Sequence, residues 1–134
     1  MAIVFDTEFG SEMSIKLFKV NSSHIGWFGF DTIIKNTKIN KTIILKFNEA
    51  ECYIADKTQA DDIGQLLEQF KSGKIDWANS DERDLQIKGT FNKNFVKLEI
   101  QIDQKNCEIN VSKANLETFL NELNTEALNL SKTA

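Results

Sequence analysis

The chain has one histidine, His24, directly after Ser22 and Ser23 in the stretch "VNSSHIG". A serine nucleophile needs a base within hydrogen-bond reach and a third group to orient that base; adjacency in sequence supplies neither. The stretch reads as a turn and His24 as an exposed loop residue. Cys52 and Cys107 lie in separate apolar-patterned stretches, away from the helix starts that activate a thiol. They read as reduced, buried thiols acting as small hydrophobes. Two cysteines and a distant histidine also fall short of the roughly four ligands of a structural zinc site. Carboxylates cluster at Asp61/Asp62 and at Asp81/Glu82/Asp84. The first pair falls in the opening turn of a helix, where acids complement the dipole. The second lacks the Asp-x-Asp-x-Asp-Gly pattern and closing glutamate of a calcium loop. With no G-x-G-x-x-G and no P-loop, the residues predict no catalytic group, no metal and no cofactor: a protein that is not an enzyme.

The elements around these residues read as strands followed by a helix, twice. "MSIKLFKV" (13–20) alternates as a half-buried strand. "IGWFGFDTIIK" (25–35) is aromatic and β-branched, and Gly26 and Gly29 predict a bulge or close packing there. "KTIILKF" (41–47) and "ECYIAD" (51–56) read as a hairpin around "NEA". A helix follows, with Thr58 and Asp61 as a capping pair. Its apolar stripe is Ile63, Leu66, Leu67 and Phe70, Lys71 lies in the last turn, and Gly73 is the C′ residue. "DLQIKGTF" (84–91), "NFVKLEIQID" (94–103) and "CEINV" (107–111) are the second set of strands. In the middle one Phe95, Lys97, Glu99 and Gln101 form a wet face opposite Val96, Leu98, Ile100 and Ile102. Ser112 then caps a helix with the stripe Leu116, Phe119, Leu120 and Leu123, and a frayed tail occupies about 127–134. The fold class is therefore α+β: an antiparallel sheet with two amphipathic helices packed on it.

At 134 residues, 41% apolar and 27% charged, the chain has the size and composition of one globular domain, 1–134. Apolar runs as short as "TIIL" (42–45) predict no membrane span. The start, "MAIVFDTEFG", lacks a basic n-region and a cleavage site, which predicts a cytoplasmic location. A net charge of −4 with pI near 5.0 and no basic stripe predict no direct nucleic-acid binding.

The charge is segregated. Residues 1–48 are net +2, residues 49–84 net −6, and residues 85–134 neutral. The negative block ends in "SGKIDWANSDERDLQI" (72–87), which holds Asp76, Trp77, Asp81, Glu82, Asp84 and Arg83, the only arginine. One reading is a surface steered toward a basic protein partner, with Trp77 as its anchor and the four acids around it. The other is a solvated connection in which Trp77 belongs to the core.

The order of early strands, the "DDIGQLLEQF" helix, a tryptophan-containing connection, "DLQIKGTFNKNFVKLEIQI" and the closing "LETFLNEL" helix resembles a family. It is similar to the small cytoplasmic immunity proteins paired with bacterial polymorphic and contact-dependent toxins. The likeness runs over about residues 45–125 and rests on pattern. It implies a non-enzymatic protein that binds and blocks a toxin domain, often a nuclease, and it transfers no catalytic or binding residue. The alternative is a protein-interaction or adaptor module, of bacterial or phage origin, with no toxin partner.

Overall fold

The computed structural model describes residues 2–6, 9–19, 27–37, 41–53, 61–78, 85–102 and 105–132. Four strands come first: β1 (Ala2–Asp6), β2 (Ser11–Lys19), β3 (Trp27–Asn36) and β4 (Lys41–Tyr53). The helix α1 (Asp61–Ser72) follows, then β5 (Ile75–Ala78), β6 (Leu85–Phe91), β7 (Phe95–Ile102), β8 (Lys105–Ser112) and the helix α2 (Lys113–Lys132). The class is α+β, as the sequence predicts, but the strands form two sheets and not one. β1 to β4 make one antiparallel meander and β5 to β8 another.

Both helices bury the predicted stripes. Ile63, Leu66 and Leu67 of α1 and Leu116, Phe119, Leu120 and Leu123 of α2 are all buried, and Phe70 is half-buried. They join one apolar cluster with Val4, Met13, Ile15 and Ile34 of the first sheet and Ile75, Trp77, Val96, Leu98, Ile100 and Ile109 of the second. Gly73 adopts φ of 83° and its N–H closes α1 on the Phe70 carbonyl at 3.1 Å, the left-handed C-terminal stop that glycine permits. At the start of α2 the Asn115 N–H donates to Ser112 Oγ at 3.3 Å, so Ser112 is the predicted cap. Thr58 lies outside the described residues.

Three local expectations are corrected. "NEA" is no hairpin, because β4 runs through it as one strand antiparallel to β3. Phe30 pairs with Phe47 and Phe28 with Cys52, so Asn48–Glu51 bulge out opposite Gly29. Polar residues between apolar runs serve a bulge as readily as a turn. The predicted frayed tail is helical to Lys132, with Ala127 buried and Leu128 and Leu130 packed on the core. "KIDWA", read as part of a connection, contains β5, whose alternation places Ile75 and Trp77 inward and Asp76 outward. β1 is a further strand that sequence reading missed, because Ala2, Val4 and Asp6 face in while Ile3 and Phe5 face out. With apolar residues on both faces, no period shows.

The two sheets meet where β8 crosses the ends of β1, β2 and β3. Asn36 Nδ2 donates to the Glu108 carbonyl at 3.1 Å, and the Ser112 N–H donates to Asp6 Oδ2 at 2.8 Å. Glu108 and Ser112 are an even number of residues apart on β8, so both backbone groups point away from β7. Side chains of the first sheet thus satisfy the free edge of the second, an edge that would otherwise recruit another strand. The Phe9 and Phe95 rings meet across the same joint, tilted by 42° with centroids 5.1 Å apart.

Candidate functional site

The alternation of β5 to β8 creates a solvent-facing side as distinct as the buried one. Register sets its side chains in rows. Asp76 lies opposite Lys88, Lys88 opposite Glu99, and Glu99 opposite Glu108. Beside that charged row runs an amide row, Gln86 opposite Gln101 and Gln101 opposite Asn106. A third row holds Thr90, Lys97 and Asn110. A cleft of about 380 Å3 lies along the first two rows, lined by Gln86, Lys88, Glu99, Gln101, Asn106 and Glu108 with the buried Ile100 and Cys107 in its floor.

Glu99 and Glu108 are directly opposed like charges, an arrangement that is unfavourable on neighbouring strands. One ammonium offsets it. Lys97 Nζ lies 3.7 Å from Glu99 Oε1 and 3.5 Å from Glu108 Oε2. All three side chains are partly exposed, so each contact is worth well under about 1 kcal/mol to stability. Lys88, although beside Glu99 in the row, makes no ion pair among the described residues. The face therefore offers carboxylate and amide acceptors, amide donors and one uncommitted ammonium. That set can hold a cationic side chain by charge-assisted hydrogen bonds.

The structure separates the predicted site residues. Asp76 joins the charged row of this face and is exposed. Trp77, next to it in sequence, points the other way and is 4% exposed, so it is a core residue and offers no surface anchor. Asp81, Glu82 and Asp84 lie outside the described residues, as do Arg83, Ser22, Ser23 and His24. Asp61 and Asp62 open α1, as predicted. Cys107 is a buried thiol; Cys52 lies in β4, its side chain outside the described set. Sequence reading identified the wet face of β7, but not that Gln86, Lys88, Asn106 and Glu108 extend it into a cleft, since cross-strand register is not written in any one strand.

Among the described residues one acid is buried, and its role is structural. Asp6 is 4% exposed and accepts the Ser112 N–H at 2.8 Å and Asn115 Nδ2 at 3.2 Å. Burial alone would raise its pKa. The hydrogen bonds from Ser112 and Asn115 and from the Phe9 backbone outweigh that and hold the carboxyl below its ordinary 3.8.

Among the described residues, no three histidine, cysteine, aspartate or glutamate side chains gather as a metal site. Nor is any helix there long and apolar enough to cross a membrane. In comparisons with protein-family models, curated proteins and solved structures, the chain matches none.

Proposed function

We propose that this chain is a non-enzymatic binding protein that docks a basic protein partner on the outer face of its second sheet. In the immunity proteins that the sequence pattern resembles, that partner is a toxin domain, and the reading extends to a cytoplasmic inhibitor that occludes it. The observation that carries the proposal is the cleft of β6 to β8, where the opposed Glu99 and Glu108 share a single lysine within a border of amides. Together with Asp76 the face carries three acids against Lys88 and Lys97, which leaves it one negative charge in excess. A sheet face of this kind supplies many hydrogen-bonding groups on a rigid frame, as protein recognition requires.

The test is affinity capture from the native host with wild-type protein and with the double variant Glu99→Gln, Glu108→Gln as paired baits. A basic protein retained by the wild type and lost from the variant supports the reading. A partner that binds both baits equally contradicts it. A second reading, an interaction module without a toxin partner, draws on Ile3 and Phe5, which are 46% and 59% exposed on the outer face of β1. Retention of the partner by both baits, with loss from an Ile3→Ser, Phe5→Ser bait, would favour that reading.

A further inference from the structure

The first strand is held to the rest of the molecule in an unusual way. β1 is an edge strand five residues long. Of its apolar side chains only Ala2 and Val4 are buried, while the two large ones, Ile3 and Phe5, face out. Burial of an alanine and a valine gives a strand little hydrophobic hold. Its fifth residue, Asp6, reaches the junction of β8 and α2, more than a hundred residues away in sequence, through the Ser112 N–H and Asn115 Nδ2. The first turn of α2 contains no acid of its own, so the carboxylate that complements its positive end is Asp6, supplied from another sheet. The nearest ammonium on α2, that of Lys113, is committed elsewhere. It donates to the Lys93 carbonyl at 3.1 Å and lies over the Phe91 ring.

We propose that β1 is a releasable strand and that Asp6 is its latch: the strand opens locally, without global unfolding, whenever the Asp6 contacts to Ser112 and Asn115 break. Opening uncovers the edge of β2 and the side of α2 against which Ala2 and Val4 pack. The packing neighbours of β1 are β2, α2 and β8, whereas the main contacts of α1 and of β5 to β7 are with other elements, so opening falls on one side of the core. Segments with few buried apolar contacts and one dominant polar anchor are where sub-global opening occurs.

Amide hydrogen exchange on the full chain tests this. In the wild type, the amides of Ala2–Asp6 should exchange at a rate insensitive to low concentrations of denaturant, while those of β7 follow global unfolding. In Asp6→Asn, which keeps the side chain's size but removes its charge, exchange over β1 and the first turn of α2 should accelerate by about tenfold or more. Protection in β7 should fall by no more than the same factor, since global unfolding breaks the same two contacts. Exchange of β1 on the same denaturant-dependent line as β7 in the wild type, or failure of Asp6→Asn to fold at all, would make Asp6 a pillar of the whole fold and overturn the latch. Unchanged exchange in β1 would overturn it equally.

Discussion

Asp76 and Trp77 are neighbours in sequence with opposite assignments, and a pair of substitutions separates the core reading of Trp77 from the surface one. Trp77 is 4% exposed within the cluster formed by both helices and both sheets, so Trp77→Ala removes a large buried side chain and leaves a cavity. Such truncations cost about 3–5 kcal/mol. With a urea m-value of about 1–3 kcal/mol/M for a chain of this size, the midpoint of denaturation should fall by more than about 1 M. That loss is a large share of the roughly 5–15 kcal/mol by which small domains are stable. Asp76→Ala, on the outer face, should stay within about 0.5 kcal/mol of wild type, because the contact of that residue with Gln69 runs through its backbone N–H and survives the change. Urea titrations followed by circular dichroism measure both. An unmoved midpoint for Trp77→Ala, or equal losses for the two variants, would refute the alternation assigned to β5 and restore Trp77 as a surface anchor.

Further outcomes follow from particular contacts. A Cβ on Gly89 would lie 3.0 Å from Ile75 Cβ and 3.3 Å from Val96 Cγ1, so Gly89→Ala should overpack the β5–β6 contact and cost about 1–3 kcal/mol by urea denaturation. Ser112→Ala removes the cap of α2 and should cost about 0.5–2 kcal/mol, read as a lower melting temperature. The depressed pKa of Asp6 means that the charged form is favoured by folding. Its contribution is present in full above the ordinary carboxylate value of 3.8 and is lost as pH falls through the lower folded-state value. Acid titration of stability should therefore be shallower in Asp6→Asn than in wild type, and coincident curves would contradict the hydrogen bonding assigned to that carboxylate.

Local periodicity made the two helices readable. The stripes of α1 and α2, the stop at Gly73 and the cap at Ser112 all depend on residues within a few positions of one another, and all are present. The strands of the second sheet were readable for the same reason, since β7 alternates over eight residues. β5 was not, because four residues between Lys74 and Asn79 give too short a period to stand out from a loop. β1 offered no contrast, having Ala2 and Val4 on one face and Ile3 and Phe5 on the other. The division into two sheets depends on the joint at β8. There Asp6 and Asn36 reach backbone groups more than seventy residues distant, and the only local trace is an α2 first turn without an acid. The cleft was half readable: the wet face of β7 was evident, while its neighbours Lys88 and Glu108 could be assigned only once register was known.

The central claim is that the opposed Glu99 and Glu108 steer a basic partner onto the outer face of the second sheet. Association rates with the captured partner, measured at low and at high salt for wild type and for Glu99→Gln, Glu108→Gln, test it most directly. Neutralising both acids leaves Lys97 without its two counter-charges. The variant should then associate more slowly at low salt, by about tenfold, and its salt dependence should flatten, because screened charges act chiefly on encounter. Wild-type association at low salt in the double variant would contradict the claim and remove this face from the function of the protein.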